Sequence, residues 1–218
     1  GMVNNIKAFA SILMPGVQHM RHTHLPEHKF VKGQPETGVE MAEDLERLAT
    51  NFGGENIAAC IVEPIAGSTG TLIPPKGYLK RLREICDKHG ILLIFDEVIT
   101  GWGRTGSAFG AIEYGVTPDI MTMAKATTNG VIPMGVVAVR DGIYDTITEA
   151  SSAPEGAPEL FHGYTYSGIP AAVAAALAVQ DIFDKEDIFK RVKELSPYFL
   201  DGLFSLKDLD CVTSIRGY

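Results

Sequence analysis

The sequence predicts an α/β fold with a mostly parallel sheet and flanking helices. Short, continuous apolar runs, typical of strands buried on both faces, alternate along the chain with segments of helical periodicity. A strand–helix–strand order with a crossover of this length favours parallel neighbours and a right-handed connection. Four strands are predicted, at residues 57–64 (IAACIVEP), 91–98 (ILLIFDEV), 119–125 (DIMTMAK) and 135–139 (GVVAV).

Two helices are predicted in the first half of the chain. The first covers residues 37–52, where Thr37 and Glu40 match a capping box and apolar residues then recur at helical spacing. The second covers residues 76–89, and Gly90 stands just past its end, as expected of a C-terminal cap.

Two further helices are predicted in the last fifty residues of the sequence. Residues 169–183 are rich in alanine, with Pro170 in the first turn. Apolar residues recur at helical spacing over 188–203, with an interruption expected at Pro197. The first 36 residues show no clear period and are predicted to form loops or short strands.

Size and composition limit the possible classes of protein. The 218 residues suffice for one sizeable core, and a net charge of −8 without a basic stripe argues against a nucleic-acid partner. Cys60, Cys86 and Cys211 have unrelated spacings, which suits a reducing compartment. The apolar run at 8–14 is too short to span a membrane. We therefore expect a cytoplasmic protein with no membrane partner.

Charged residues end three of the predicted strands. Glu63, Asp96 and Lys125 come together if the strands are parallel, because ligands of such sheets bind outside the carboxyl ends of the strands. A buried carboxylate can hold a proton on a pyridine nitrogen, and a desolvated lysine can form a Schiff base with an aldehyde. Together they describe a pyridoxal-phosphate site. The spacing alone is a weak signal, since most lysines are solvated and strand-end aspartates often cap turns.

Four longer stretches make the signal specific: IVEPIAGSTG, LLIFDEVITGWGRTG, PDIMTMAKATTNGVIPMG and HGYTYSGIP. In this order and spacing they resemble the class III aminotransferases of the type I pyridoxal-phosphate fold. The resemblance runs from GMVNN to SIRGY and is closest to the omega-amino-acid:pyruvate branch, which includes beta-alanine–pyruvate transaminases. It implies pyridoxal 5'-phosphate as cofactor, a small amino donor and a keto acid as substrates, and a homodimer.

The resemblance also implies a role for five residues. Asp96 would pair with the pyridine nitrogen of the cofactor, and Val98 would pack against one face of the ring. Lys125 would be the Schiff-base lysine and the proton carrier. Thr165 would reach the cofactor phosphate of the neighbouring subunit. Glu63 would line the substrate side.

Other residues in these motifs are expected to be structural or depart from the family pattern. Glu97 and Arg104 are expected to fix the loop or form ion pairs, because such networks are common away from the chemistry. The family often has His where this chain has Ile169, so the contacts of this position are expected to differ from the family pattern. Many relatives have Gln where this chain has Ala66, a difference that fits the omega branch.

The resemblance covers only part of the family's length. It begins after the Gly-Ser phosphate-binding loop and the aromatic residue that stacks on the ring, and it ends before the small domain. Residues 1–218 are therefore expected to form a partial large, cofactor-binding domain, without the N-terminal segment and the C-terminal small domain. On this expectation the chain alone does not transaminate.

Alternatives remain open at this point. The chain could be a non-catalytic fragment or a dimerisation scaffold, or, within the family, an aminomutase or a decarboxylating aminotransferase. A metal site is a further hypothesis, because His22 and His24 have HxH spacing and His19 and His28 lie near. No cysteine or carboxylate set completes a recognised site, so loop histidines are the favoured interpretation.

Overall fold

A four-stranded sheet organises the chain in the computed structural model, which describes residues 3–154, 160 and 162–218. The strands lie side by side in chain order: β1 (Ala59–Val62), β2 (Leu92–Asp96), β3 (Ile120–Met123) and β4 (Val136–Val139). The β1–β2 and β2–β3 pairs are parallel, and the β3–β4 pair is antiparallel. The prediction of a mostly parallel α/β sheet is confirmed.

Helices connect and flank the strands. Short 3-10 segments cover Ala10–Ile12, Pro26–Phe30, Val39–Ala42, Gly54–Asn56 and Lys125–Thr127. The α-helices are α1 (Val3–Phe9), α2 (Glu43–Phe52), α3 (Tyr78–His89), α4 (Gly110–Glu113), α5 (Asp141–Ala150), α6 (Pro170–Lys185) and α7 (Ile188–Phe204). No described helix is long and apolar enough to cross a membrane.

The end of α3 follows the sequence prediction. Gly90 has a φ of 69°, a left-handed conformation that costs glycine little, and its N–H donates to the carbonyl of Cys86. The basic residues of the last turn lie where they complement the helix dipole. Pro170 begins α6, again as predicted, because a proline at the first position loses no helical hydrogen bond.

The predicted capping box at the start of the 37–52 helix is wrong. The chain forms a 3-10 turn over Val39–Ala42 before α2 begins at Glu43. The hydroxyl of Thr37 lies 3.1 Å from Nε2 of His28, so it is engaged by another segment. Gly38, with a φ of 109°, takes the chain out of the geometry that a cap requires.

The predicted interruption of the last helix is wrong. Helix α7 continues through Pro197, because a proline inside a helix removes one hydrogen bond and the surrounding turns keep theirs. Loops cover residues 13–25 and 31–36, as predicted for the N-terminal segment, whereas α1 and the short 3-10 turns were not predicted. Its one described β pairing is the isolated bridge between Lys32 and Gly217. Helix α5 was not foreseen by any periodicity.

The core lies on one face of the sheet, under α2 and α3. The strands were predicted to be buried on both faces, and this is wrong for β1 and β4: Ile61 is 63% exposed and Val137 is 64% exposed. In β2, Leu93 and Phe95 are fully buried while the alternate residues are half-buried, because only one face is packed by helices. All three cysteines are free. The core cluster includes Leu45, Tyr78, Leu82, Ile85, Cys86, Ile91, Leu93 and Phe95.

Candidate active site

The carboxyl ends of three parallel strands meet at one edge of the sheet. Val62 pairs with Phe95, and Asp96 pairs with Thr122. Glu63 directly follows β1, Asp96 is the last residue of β2, and Lys125 comes two residues after β3. The sheet therefore carries the three predicted residues to the same edge, on neighbouring strands that lie about 4.8 Å apart.

Asp96 is a half-buried carboxylate whose orientation is fixed by one of its two oxygens. Oδ1 accepts hydrogen bonds from the backbone N–H of Val98 at 3.1 Å and from the hydroxyl of Thr122 at 3.4 Å. Oδ2 has no hydrogen-bond partner within the described part of the chain. The carboxylate is thus held in place with one acceptor oxygen available for a further donor.

Lys125 lies in a conformation that is uncommon for a residue with a side chain. It begins the 3-10 turn Lys125–Thr127 with a φ of 48°. Left-handed backbone at a non-glycine residue is strained and is concentrated at functional sites. The lysine is exposed and borders an open cavity of about 570 Å³. That cavity is lined by Ala124, Lys125, Thr128, Gly130, Ile132, Pro133, Met134 and Gly135, and Asp96 is not among its walls.

Glu97, the residue after Asp96, is fully buried. Its carboxylate accepts hydrogen bonds from the backbone N–H groups of Gly110 at 2.8 Å and Ala111 at 2.7 Å, and from the hydroxyl of Thr100 at 2.5 Å. These donors offset the cost of burying the charge. The hypothesis of a loop-fixing role for Glu97 agrees with this geometry. Arg104 is exposed and has no ion pair within the described residues.

Trp102 and Thr127 are two residues near the lysine that sequence reasoning missed. Nε1 of Trp102 donates a hydrogen bond of 2.9 Å to the hydroxyl of Thr127, in the turn that begins at Lys125. Trp102 is the only tryptophan of the sequence and stands in a glycine-rich loop. A single tryptophan in a glycine-rich loop could have marked Trp102 as a candidate. Its partner Thr127 lies 25 residues away, and no local pattern identifies it.

The side chains of the remaining predicted site residues, Glu63, Val98 and Thr165, make no hydrogen bond to Asp96 or Lys125 within the described residues. Oε2 of Glu63 accepts a hydrogen bond of 2.9 Å from the N–H of Gly67, which ties the carboxylate to its own loop. Val98 is half-buried beside Asp96. Thr165 lies in an exposed turn and makes no hydrogen bond to Asp96 or Lys125 in the regions that the structure describes. The roles assigned to these residues stay predictions.

The N-terminal histidines are engaged in local hydrogen bonds. Nδ1 of His28 accepts from the N–H of Leu25, and Nδ1 of His22 accepts from the N–H of His24. Burial and the nearby Arg216 lower the pKa of His24. Over residues 3–154, 160 and 162–218, no group of three or more potential ligands is arranged to hold a metal ion.

The opposite end of the strands carries an ion cluster around the buried Asp119. The Asp119 carboxylate accepts from the N–H of Leu93 at 2.7 Å, from Arg83 at 2.6 Å and from Arg140 at 2.8 Å. Burial by itself raises the pKa of Asp119, but these donors together hold it below its usual range. A cavity of about 550 Å³ borders Asp119 and Arg140 at this end. Both carboxylate oxygens of Asp119 accept hydrogen bonds within the protein, so its role is structural.

Comparison with known protein families agrees with the fold and with the residues at the strand ends. The profile of the family Aminotransferase class-III matches residues 2–218. The chain therefore belongs to the class-III aminotransferase family, a family of enzymes.

Individual members of the family are also similar to this chain. The chain is 52% identical to an omega-aminotransferase of Caulobacter vibrioides over 218 residues, covering 100% of this chain and 49% of the relative. It is 48% identical to a beta-alanine–pyruvate aminotransferase of Pseudomonas aeruginosa, with 100% and 48% covered. An engineered thermostable omega transaminase of known structure superposes with a TM-score of 0.90 at 33% identity, covering 100% of this chain and 48% of the other. The chain thus spans about half the length of the curated relatives it matches.

Proposed function

We propose that this chain contributes the cofactor-binding centre of a pyridoxal-phosphate-dependent aminotransferase. The reaction is transfer of an amino group from an omega-amino acid or amine to a keto acid such as pyruvate. The observation that carries the proposal is the placement of Asp96 and Lys125 at the carboxyl ends of adjacent parallel strands, in a chain of this family.

The residues present fit the cofactor on chemical grounds. Asp96 offers a charged acceptor whose Oδ2 is not engaged by the described residues, as a protonated ring nitrogen requires. Lys125 is a primary amine beside an open cavity, without an ion pair to a described carboxylate. Pyridoxal phosphate, when bound, supplies an aldehyde that links to an amine and a ring that accepts electrons.

Each residue then has a defined task. Asp96 holds the proton on the ring nitrogen, and its own position is maintained by Val98 and Thr122. The side chain of Val98, which is half-buried beside Asp96, would support one face of the ring. Lys125 would hold the aldehyde of the cofactor through its Nζ, and the same amine would serve as the carrier of the substrate proton.

The remaining proposals concern the substrate and the partner subunit. Glu63 directly follows β1 at the same end of the sheet, which supports its proposed position on the substrate side. Thr165 is exposed, as suits a residue that serves the phosphate of a neighbouring subunit in a homodimer. Large apolar side chains on the surface of α6 and α7 agree with association, because extended exposed apolar patches favour it.

The role of Asp96 can be tested in the complete reading frame that contains these residues. Asp96→Asn is expected to fold and retain cofactor, while amino transfer from beta-alanine to pyruvate falls on the order of a hundredfold or more, since Asn cannot keep the ring nitrogen protonated. Asp145→Asn, an exposed residue of α5, serves as control. Turnover near the wild-type rate in Asp96→Asn would exclude this role.

A further inference from the structure

One hydrogen bond next to the proposed site links the strained residue Trp102 to the turn that begins at the strained residue Lys125. Trp102 has a φ of 59° and Lys125 a φ of 48°, both in the left-handed region. The indole N–H of Trp102 donates to the hydroxyl of Thr127, two residues after the lysine. Such conformations persist only where the surroundings hold them, so the hydrogen bond from Trp102 to the turn of Lys125 is a candidate for that restraint.

We propose that Trp102 is a positioning residue for Lys125, acting through the hydroxyl of Thr127. The hydrogen bond holds the turn Lys125–Thr127 in the conformation that directs the lysine. The inference rests on the proposed function for the meaning of Lys125, and it adds two residues whose role no part of that proposal requires.

The hydroxyl of Thr127 has the hydrogen-bonding capacity for this task. It donates its single proton to the carbonyl of Ala124 at 3.0 Å, and it accepts the indole N–H, which can only donate. The backbone N–H of Thr127 also donates to the carbonyl of Ala124. Thr127 is 2% exposed, so water cannot replace the indole at low cost. The turn is therefore closed on both sides of Lys125.

Trp102 is itself held firmly enough to act as a support. Its ring packs edge-on against Phe109, with centroids 5.1 Å apart, and lies parallel to Phe183 at 6.4 Å. Its backbone N–H donates to the carbonyl of Ala108 at 2.6 Å. The base of this loop is fixed by the buried Glu97. The indole is therefore fixed by its own loop, and its hydrogen bond fixes the turn that contains Lys125 relative to that loop.

Loss of the hydrogen bond should let the turn relax toward an ordinary backbone conformation. The amine of Lys125 would then move relative to Asp96, which is anchored separately on β2. A misplacement of about 1 Å can reduce the rate of a positioned reaction roughly a hundredfold.

Hydrogen exchange measured on the 218-residue chain tests this without any cofactor. Trp102→Phe and Thr127→Val remove the donor and the acceptor, whereas Thr127→Ser keeps the hydroxyl. We expect exchange in peptides covering 124–130 to accelerate about fivefold in the first two variants, the effect of one ordinary hydrogen bond, and to stay unchanged in Thr127→Ser. Thr50→Val, which removes a hydroxyl on α2 that also bonds a backbone carbonyl, is the control.

A second readout follows covalent attachment. The chain is mixed with pyridoxal phosphate and reduced with borohydride, and peptide mapping gives the rate of labelling at Lys125 relative to Lys190, which is exposed on α7. Trp102→Phe and Thr127→Val should lower this ratio severalfold, and Thr127→Ser should restore it. Urea midpoints of all variants show whether the chain remains folded, and Thr127→Val decides the matter if Trp102→Phe does not fold.

Two results would overturn the inference. One is unchanged exchange at 124–130 in both disrupting variants. The other is faster exchange with an unchanged labelling ratio, because the hydrogen bond would then be structural without directing the lysine. If the wild-type chain attaches nothing at Lys125, the proposed function fails, and the exchange measurement alone decides whether Trp102 restrains the turn.

Discussion

The first half of the sheet has large apolar side chains buried under helices, whereas the last helices of the chain expose many of theirs. In residues 41–123, called here the first region, α2 and α3 bury their apolar faces against β1 and β2. In residues 130–204, the second region, the buried apolar side chains among the described residues are Ala172, Ala176 and Leu200. Large apolar side chains of α6 and α7 instead face outward, among them Leu177, Ile182, Leu195, Tyr198 and Phe199.

This contrast indicates where the chain's stability resides and how the site depends on it. Asp96 ends the packed strand β2 and Glu97 follows it, and the side-chain hydrogen bonds of both lie within the first region. Lys125 stands at the border between the regions, and its turn is tied back to the first region by Trp102. The carboxylate of Asp96 lies in the packed first region and Lys125 lies at its border. The hydrogen bond between Trp102 and Thr127 is therefore needed to keep the two groups in a fixed relative position.

Leucine truncation in the two regions should give the largest difference. Leu82 of α3 is fully buried and Leu195 of α7 is 52% exposed. We expect Leu82→Ala to lower the free energy of unfolding by about 2–5 kcal/mol, because it opens a cavity in the core. Leu195→Ala should change it by no more than about 0.5 kcal/mol. Urea unfolding of both variants measures the two values, and equal losses would refute the contrast between the regions.

Removal of the Glu97 carboxylate should have the next largest effect. Glu97→Ala leaves the N–H groups of Gly110 and Ala111 without an acceptor, at about 1–3 kcal/mol for each buried unsatisfied group. Glu84→Ala is the matched control, since Glu84 is half-exposed in a surface pair with Arg81, where pairs contribute about 0–1 kcal/mol. Urea midpoints of the two variants that coincide would show that Glu97 does not fix the loop.

A smaller, pH-dependent effect is expected from Asp119. Its pKa is held low in the folded state, so its contribution is fully present above the unfolded-state pKa of about 3.9 and is lost as the pH falls through the folded-state value. The difference in unfolding free energy between wild type and Asp119→Asn should therefore be constant from about pH 5 to about pH 7 and shrink below about pH 4. Urea unfolding across this range measures it, and a difference independent of pH would contradict the cause assigned to the shift.

The sequence predicted those features that local chemistry determines. The apolar runs located all four strands, Gly90 marked the end of α3, and the strand ends placed Asp96 and Lys125 at one edge. The failures involve distant partners. Thr37 does not cap a helix because His28 engages its hydroxyl, and Ile61 is exposed because no described segment covers that face of β1. The contact between Trp102 and Thr127 depends on how a loop folds back across the sheet edge, which periodicity does not encode.

The central claim is that Lys125 is the lysine that binds pyridoxal phosphate, and one measurement tests it most directly. Added to the wild-type chain, the cofactor should produce visible absorbance of an imine, and borohydride should fix the label on the peptide that contains Lys125. Lys125→Ala should abolish this absorbance, whereas Lys190→Ala, which removes an exposed lysine of α7, should preserve it. An unchanged spectrum in Lys125→Ala, with another lysine trapped by borohydride, would contradict the assignment.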